Sequence, residues 1–340
     1  MTALEAAAAA LGVPSLSVVD TLGGSARSEV WRVSAPDLPR GTAIVKHHLQ
    51  PERRTWVRES AGLAAAAGTR TPRLLAVVDD PAVVVMSDLG DGPNLADLLL
   101  GTDPRAAADG VRDWAEAVAL VQEETVGRVG DFAAALGDLA AHSTMAEIDA
   151  LPATLEETAA RHALPWSDRV TAALGEHAAP LDDPAAQRFS PGDTCPDNNV
   201  RTPAGLHLID LEFAEVRHRA WEAAYLRVPW PTCWCAWAIP DEVALTAAAP
   251  FEASADDVDR ATLLWCLLSV SWFLAGALDP TSVNSDTERR PGRWTLVLSR
   301  LDLAARLPGP AALTSWAAAL RDELAARWGE HPLVLAPAFR

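Results

Sequence analysis

Three polar residues in the segment SPGDTCPDNNVRTPAGLHLIDLEF (190–213) have types and spacings that suit divalent-cation chemistry beside a hydroxyl group. Asp193 precedes Asn198 by five residues, and Asp210 falls on the predicted second strand of a hairpin that turns at residues 203–205. Mg²⁺ prefers oxygen ligands, and a short hairpin can bring an amide and a carboxylate oxygen to one ion. Asp193, at the start of the loop, would then face a substrate hydroxyl. Asp and Asn also occupy ordinary turns, but the combination of all three favours a site.

Lys46 is the only lysine among 28 basic residues, and the other 27 are arginine. Lysine offers a compact point charge with three rotatable donors, whereas arginine offers a rigid planar fork. A single retained lysine therefore indicates either an accident at the surface or a position that needs a point charge. Glu59, on the helix predicted after the Lys46 strand, could hold the ammonium by an ion pair or could be an ordinary solvated helix residue.

A glycine pair, Gly23-Gly24, lies between two predicted strands, 22 residues before Lys46. Backbone without Cβ can approach phosphates closely and offer N–H donors. Ser25 and Ser28 could add hydroxyl donors. An ordinary Gly-Gly hairpin turn is the alternative, so this signal is weak alone.

These residues together supply what phosphoryl transfer requires. That reaction needs charge around a triphosphate, a metal ion that neutralises developing negative charge, and a group that orients the attacking hydroxyl. The residues alone therefore predict a nucleoside triphosphate and Mg²⁺ at this site.

The segment PGDTCPDNN followed by LIDLE resembles the HGDxxxxN…IDxE pattern of the aminoglycoside phosphotransferase family, which shares a protein-kinase-like fold with choline kinases. The match falls at Asp193, Asn198, Asp210 and Glu212. Upstream, AIVK is similar to the kinase third-strand lysine motif, RESAGL to the helix that carries its glutamate, and VVVMSDLG to the strand before the adenine-binding hinge. The resemblance covers about residues 20–230 in the family's order.

The resemblance implies a role for each matched residue. Asp193 would be the catalytic aspartate, which accepts or orients the proton of the substrate hydroxyl. Asn198 and Asp210 would bind magnesium. Lys46, held by Glu59, would bind the α- and β-phosphates of ATP, so the resemblance implies ATP and Mg²⁺ as the cofactors.

The same resemblance implies an adenine site at the end of the fifth strand. Backbone groups from Ser87 to Leu89 would hydrogen-bond the base, and Met86 or a neighbouring apolar side chain would pack on it.

Three residues depart from the family pattern. Pro191 stands where the pattern has a histidine that braces the catalytic loop. Glu222 stands where an aspartate commonly ties that loop to a helix, so the contact must be rearranged around an extra methylene. Asn199 has no role in the pattern. Pro191 and Glu222 motivate the alternative of a catalytically silent, kinase-like nucleotide-binding protein.

The pattern of elements predicts an α+β, two-lobed protein-kinase-like fold with a small five-stranded antiparallel β lobe and a large, mainly helical lobe. Strands are predicted at 16–22, 29–34 and 42–47, with two more within 73–90, and a helix at 55–68. Helices are predicted at 111–124, 144–178, 216–227, 255–278, 296–306 and 311–328. We assign residues 1–88 to the nucleotide-binding lobe and 89–340 to the catalytic and substrate-binding lobe.

The chain carries a net charge of −18, with an isoelectric point near 4.8. Nucleic acid and anionic membranes reward basic patches, so neither is an expected partner. A small hydroxyl-bearing substrate, neutral or cationic, fits better: an aminoglycoside, an amino sugar or an amino alcohol. Trp230, Trp234 and Trp237 could stack on such a substrate or fill the core. The sequence gives no indication of oligomeric state.

Four irregularly spaced cysteines favour a reducing, cytoplasmic location over a disulfide framework. Cys233-Trp-Cys235 lacks the two-residue spacer and second ligand pair typical of zinc sites, so no metal is predicted there. The N-terminus lacks the basic region of a signal peptide. Residues 261–278 are apolar and long enough to span a bilayer, but their charged flanks favour a buried core helix.

Overall fold

The five strands predicted in the first quarter of the chain form one antiparallel sheet in the computed structural model, which describes residues 1–24, 26–38 and 40–340. The strands are β1 (Ser17–Gly24), β2 (Ser28–Ser34), β3 (Thr42–His48), β4 (Leu74–Val78) and β5 (Val83–Ser87), in the spatial order β1-β2-β3-β5-β4. Two helices pack on this sheet, α1 (Ala3–Leu11) and α2 (Thr55–Ala66). The predicted small β lobe is confirmed.

The register of β3 and β5 decides which way Lys46 faces. Val45 pairs with Val85, and both are fully buried in the cluster that α1 covers. Lys46 pairs with Val84, which belongs to the second core cluster, continuous with the large lobe. Because side chains alternate between the two faces of a strand, Lys46 points away from α1 and toward the large lobe.

The large lobe is mainly helical, as predicted. Its helices are α3 (Leu95–Leu99), α4 (Pro104–Glu124), α5 (Val129–Leu136), α6 (Thr144–His162), α7 (Asp168–Ala178), α8 (Ala220–Arg227), α9 (Asp241–Ala248), α10 (Ala255–Leu278), α11 (Arg293–Arg306) and α12 (Ala311–Trp328). Two small antiparallel ribbons pair β6 (Gln187–Ser190) with β9 (Glu215–His218) and β7 (Asn199–Thr202) with β8 (Gly205–Leu208). These ribbons carry the polar segment, and β7 and β8 turn where the hairpin was predicted.

Two predicted helices were wrong in their extent. The helix predicted over 216–227 begins only at Ala220, because the residues before it form β9 and pair with β6. The helix predicted over 144–178 is two helices, since α6 ends at His162 and α7 begins after the N-cap Ser167. The Ser167 hydroxyl accepts a backbone N–H of α7, which starts a new helix rather than continuing the old one.

Helix α10 is long and apolar enough to cross a membrane by composition, with a mean hydropathy of 1.8 over its best window. In the described structure 67 % of that window is buried inside the protein. The helix packs against α6, α7, α8 and α11. This burial supports the predicted core helix.

Candidate active site

Lys46 lies between the two lobes and forms ion pairs with carboxylates of both. Its Nζ lies 3.0 Å from Glu59 Oε2 in the small lobe. It lies 2.5 Å from Asp210 Oδ1 and 3.2 Å from Glu212 Oε2 in the large lobe. The predicted Lys46–Glu59 ion pair is therefore formed, and the sequence-predicted Asp210 joins it. The Lys46 side chain is only 6 % exposed, so this is a buried cluster rather than a surface lysine.

Glu59 is held in position by contacts on both sides of α2. His48 Nε2 lies 3.0 Å from Glu59 Oε2, and His48 Nδ1 lies 3.0 Å from Thr55 Oγ1. The neighbouring Arg58 donates to the carbonyl of Ala214 at 2.7 Å, which ties α2 to the large lobe. These contacts fix Glu59 beside Lys46.

The carboxylates around Lys46 outnumber the cations. Three carboxylates face Lys46, and Arg27 pairs with one of them, Glu212, at 3.1 Å. Asp210 is the most exposed of the three, at 39 % against 1 % for Glu59 and 6 % for Glu212. Desolvation, together with repulsion from Glu59 and Glu212, raises the pKa of Asp210 to about 6 despite the opposing effect of Lys46. An additional cation beside Asp210 would relieve this excess of negative charge.

The β7–β8 hairpin brings the two predicted metal ligands to adjacent positions. The Asn198 carbonyl, just before β7, accepts the N–H of Ile209, which follows β8 and precedes Asp210. Asp210 lies two residues beyond the end of β8, not on the strand as predicted, and has a left-handed φ of 63°. Aspartate is among the residues that tolerate this conformation.

Asp193 lies on the loop after β6, and hydroxyl groups orient its carboxylate. Thr232 Oγ1 donates to Asp193 Oδ1 at 2.5 Å, and the Tyr225 hydroxyl donates to the same oxygen at 3.3 Å. Asn198 Nδ2 donates to the Asp193 carbonyl at 2.9 Å, which links the predicted catalytic residue to a predicted metal ligand. Burial raises the pKa of the Asp193 carboxyl. A raised pKa makes an aspartate a better proton acceptor.

Gly192 allows this loop to lie directly against residues 210–213, which include the predicted metal ligand Asp210. Its φ is 85°, and a Cβ there would be 2.0 Å from the carbonyl oxygen of Phe213. Any side chain would therefore push the loop of Asp193 away from residues 210–213.

Two of the three departures from the family pattern, Glu222 and Pro191, lie in or beside a buried polar network. Glu222 Oε1 accepts the hydroxyl of Ser190 at 2.5 Å and the Arg217 Nη2–H at 2.6 Å. The Ser190 hydroxyl accepts the Gly192 N–H at 3.0 Å, and Arg217 donates to the Gly192 carbonyl at 3.2 Å. The longer Glu222 side chain thus holds the loop through Ser190 and Arg217, while Pro191 itself is buried.

Asn199, which had no predicted role, connects the loop to the start of α3. Its Oδ1 accepts the N–H of Leu95 at 2.9 Å, and its Nδ2 donates to the carbonyl of Pro196 at 2.8 Å. Asn199 is a positioning residue for the segment between Asp193 and Asn198.

The predicted phosphate-binding glycines end a strand rather than forming its turn. Gly23 and Gly24 are the last residues of β1 and pair with β2. Gly24 has a φ of 154°, and a Cβ would lie 2.7 Å from the carbonyl oxygen of Ser28, so only glycine fits. Ser28 begins β2. Ser25 lies outside the described residues.

The predicted adenine-binding residues lie at the end of β5 and just after it. Met86 is buried, and Leu89 is partly exposed. The Ser87 N–H donates to the Arg73 carbonyl at 2.9 Å, and its hydroxyl accepts the Arg73 N–H at 2.9 Å. The Ser87 N–H and hydroxyl are thus engaged within the protein, and the contacts of the backbone from Ser87 to Leu89 and of Met86 with the base stay a prediction.

The three tryptophans have different environments. Trp230 and Trp237 are 0 % and 3 % exposed and belong to the core. Trp234 is 37 % exposed, and its indole N–H donates to Asp197 Oδ2 at 2.7 Å. Of these three tryptophans, only Trp234 is therefore accessible to a ligand.

Several positioning residues had no recognisable sequence signal. They are Ser190, Arg217, Tyr225 and Thr232. Each is an ordinary residue type whose role depends on a partner distant along the chain. Arg217, for example, is 2 % exposed and acts on Gly192, 25 residues away.

No protein-family model and no curated protein sequence matches the chain. Solved structures are similar to it in fold. An ethanolamine kinase from Plasmodium vivax superposes with a TM-score of 0.55 at 10 % identity, covering 89 % of this chain and 85 % of that one. APH(2″)-IIa in a ternary complex with streptomycin and ATP gives 0.52 at 12 % identity, covering 81 % and 92 %.

A macrolide 2′-phosphotransferase from Brachybacterium faecium gives a TM-score of 0.50 at 15 % identity, covering 90 % of this chain and 97 % of that one. At these identities the likeness concerns the fold. The fold that the sequence resemblance implied is confirmed, and the chain has the two-lobed, protein-kinase-like fold of these small-molecule kinases.

Proposed function

We propose that the protein is an ATP- and Mg²⁺-dependent O-phosphotransferase that transfers the γ-phosphate of ATP to a hydroxyl group of a small molecule. One observation carries the proposal. Lys46, the only lysine, is buried between Glu59 of the small lobe and Asp210 of the large lobe. Proteins of the same fold include an ethanolamine kinase and a protein solved with streptomycin and ATP. These neighbours support ATP as the proposed nucleotide and an amino alcohol or aminoglycoside as the proposed acceptor.

Lys46 would bind the α- and β-phosphates of ATP. An ammonium is a compact charge with three donors, so it can serve phosphate oxygens while it keeps a carboxylate partner. Glu59, held by His48 at 3.0 Å, fixes the position of that charge. Gly23, Gly24 and Ser28 lie at the end of the β1–β2 ribbon where the two strands connect, and there their backbone and hydroxyl groups would approach the phosphates.

Asn198 and Asp210 are the residues that would hold Mg²⁺. Carboxylate and amide oxygens are ligands that Mg²⁺ prefers. The excess of carboxylates over cations near Lys46, and the accessibility of Asp210 among them, suit a divalent cation. When bound, Mg²⁺ supplies charge neutralisation for the phosphoryl oxygens.

Asp193 would orient the acceptor hydroxyl and accept its proton. Thr232 and Tyr225 fix the direction of the carboxylate, and the Ser190–Glu222–Arg217 network fixes the loop that carries it. Such preorganisation places a general base before substrate arrives.

The acceptor is proposed to be an aminoglycoside, an amino sugar or an amino alcohol. The net charge of −18 favours a cationic or neutral molecule over an anionic one. No role for nucleic acid or membrane enters the proposal. The cytoplasmic location stays a prediction from the cysteine count.

The alternative of a catalytically silent nucleotide-binding protein was motivated by Pro191 and Glu222. Glu222 bonds Ser190 and Arg217, and both of these bond Gly192. Since the loop of Asp193 is anchored through these contacts, the departures from the pattern give no reason to expect loss of activity.

A thermal-shift measurement with MgATP, followed by an ADP-release screen over aminoglycosides, sugars and amino alcohols, tests the proposal. We expect stabilisation by MgATP and ADP release that depends on one acceptor class. Stabilisation without acceptor-dependent turnover would support the silent alternative. The absence of both stabilisation and ADP release would contradict the phosphotransferase and the silent alternative alike.

A further inference from the structure

Three cysteines and one carboxylate meet beside the loop of Asp193, and the proposed phosphotransfer does not use them. Cys195 Sγ, Cys233 Sγ and a carboxylate oxygen of Asp197 all lie within 4.8 Å of one another. Cys235 Sγ lies 3.1 Å from Cys233 Sγ. The sequence predicted no metal here because Cys233 and Cys235 lack a second ligand pair nearby; the fold brings Cys195 and Asp197 to them from the preceding loop.

We propose that Cys195, Asp197 and Cys233 hold a zinc ion, and that Cys235, beside Cys233, turns toward them to complete a tetrahedral set of ligands. Zn²⁺ is bound in tetrahedral geometry by thiolate and carboxylate ligands. Mg²⁺ and Ca²⁺ take oxygen ligands, so a site with three sulfurs disfavours them. The carboxylate ligand favours Zn²⁺ over Cu⁺, which selects sulfur. On binding, each thiol releases its proton to solvent as its sulfur coordinates the ion, and no group is oxidised or reduced.

For Cys195, Asp197 and Cys233, whose ligand atoms lie within 4.8 Å of one another, the interatomic distances need only small adjustments for zinc, whereas Cys235 must turn toward Cys195 and Asp197. With Zn–S bonds of about 2.3 Å, two sulfurs on one tetrahedral ion lie about 3.8 Å apart, and a sulfur and a carboxylate oxygen about 3.6 Å apart. Cys233 Sγ and Asp197 Oδ1 are 3.8 Å apart. The 3.1 Å between the sulfurs of Cys233 and Cys235 must open by less than an ångström, roughly what a modest side-chain rotation provides.

The surroundings of the cluster also suit a bound metal. Trp234, which is not a proposed ligand, donates to Asp197 Oδ2 at 2.7 Å, while the other carboxylate oxygen, Oδ1, faces Cys233 Sγ. Ligating carboxylates are commonly oriented by such outer hydrogen bonds. The three cysteines are 5 %, 2 % and 1 % exposed, so solvent is largely excluded from the sulfurs.

The zinc ion would join the loop of Asp193 to the segment that supports it. Cys195 and Asp197 follow Asp193 in the loop, while Cys233 follows Thr232, which donates to Asp193 Oδ1. A Cys233–Cys235 disulfide is the competing use of these sulfurs, but it would leave Cys195 and Asp197 without a function. Because both segments contribute side chains to the cluster, a metal site is favoured over the disulfide.

Metal titration of the full chain tests the site independently of any kinase activity. The reduced protein is stripped with a chelator and titrated with Co²⁺ and then Zn²⁺, with Mg²⁺ as the control ion. We expect stoichiometric Co²⁺ binding with thiolate charge-transfer and tetrahedral d–d absorption, displacement of Co²⁺ by Zn²⁺, and a higher melting temperature with Zn²⁺. Mg²⁺ should neither displace Co²⁺ nor change these bands.

Matched variants separate ligation from folding. Cys266 is a buried cysteine of α10 outside the cluster, so Cys266→Ala should bind Zn²⁺ as the unmodified chain does. Cys233→Ala should weaken Zn²⁺ binding by more than about 100-fold, because even the loss of a residue that only orients a ligand lowers metal affinity by about 10- to 100-fold. Trp234→Phe, at a partly exposed position, should fold and bind roughly 10-fold more weakly.

Three results would overturn the zinc site. The first is failure of the reduced protein to bind Co²⁺ and Zn²⁺ stoichiometrically. The second is an equal loss of Zn²⁺ affinity in Cys266→Ala and Cys233→Ala. The third is a Cys233–Cys235 disulfide in the isolated protein, together with no metal binding after reduction. Unchanged affinity in both Cys233→Ala and Trp234→Phe would also contradict it.

Discussion

Replacing Lys46 by methionine would remove the cation that pairs with Glu59, Asp210 and Glu212. Methionine keeps an unbranched side chain of similar length, so the change isolates the charge. Glu59 is 1 % exposed and would be left with His48 as its partner. Breaking a buried ion pair by removing one partner costs about 3–5 kcal/mol, because the remaining charge is uncompensated. We expect a loss of that size in the free energy of unfolding at about pH 7.5.

The loss should depend on pH with a defined sign. Without Lys46, which opposes the rise, the pKa of Asp210 in the folded state should lie further above its unfolded value, so the folded variant keeps a proton that the unfolded chain releases. The stability that the retained proton provides is lost as the pH rises from the unfolded pKa value to the folded one. Lowering the pH from about 7.5 to about 5.5 should therefore recover up to about 2.7 kcal/mol if one extra proton is retained, at about 1.36 kcal/mol per pH unit.

Urea denaturation followed by circular dichroism measures both quantities. Arg40→Met, at an exposed position, is the matched control and should change the unfolding free energy by less than about 0.5 kcal/mol. A Lys46→Met loss below about 1 kcal/mol, or a loss that is the same at both pH values, would refute the conclusion that Lys46 holds buried carboxylates.

Three other changes test different parts of the structure. Lys46→Arg keeps the charge but spreads its donors over a planar fork, so turnover should fall more than for most arginine substitutions; unchanged turnover would contradict the need for a point charge. Glu222→Leu should lower the unfolding free energy by about 3–5 kcal/mol in urea denaturation, because Arg217 loses its closest carboxylate; a loss under about 1 kcal/mol would contradict the network. Burial, and then the charge of Arg260, lowers the pKa of His177 to about 4, so stability should fall as pH drops from about 6.5 to 4. His177→Gln should flatten this dependence; an unchanged pH profile would contradict the assignment.

The sequence was sufficient for the fold because each element carried its own local signal. The β-branched runs predicted five strands, and turn residues separated them. The order of strands and helices then matched one architecture. Local patterns failed at β9, where Arg217 and Glu215 are buried in place of apolar residues.

The predicted site residues were those whose type and spacing suit metal and phosphate chemistry. Lys46 stood out by composition and Asp193, Asn198 and Asp210 by spacing, and the structure brings Lys46 beside Asp210 and Asn198 beside Asp193. How well these residues serve ATP and Mg²⁺ remains a prediction.

The residues that support the site could not be predicted, because their function depends on partners far apart in the chain. Thr232 lies 39 residues from Asp193, and Ser190 lies 32 residues from Glu222. Nothing in the sequence around Thr232 indicates a hydrogen bond to the Asp193 carboxylate. The cluster around Cys195 was missed for the same reason, since its cysteines come from two separate segments.

Mass spectrometry of the acceptor after incubation with MgATP tests the central claim most directly. For an acceptor found by ADP release, the proposal predicts a gain of one phosphoryl group with the unmodified protein. It predicts no gain with Asp193→Asn, although that variant should still bind MgATP. Equal phosphorylation by Asp193→Asn, or ADP release without any phosphorylated acceptor, would contradict the proposed phosphotransfer.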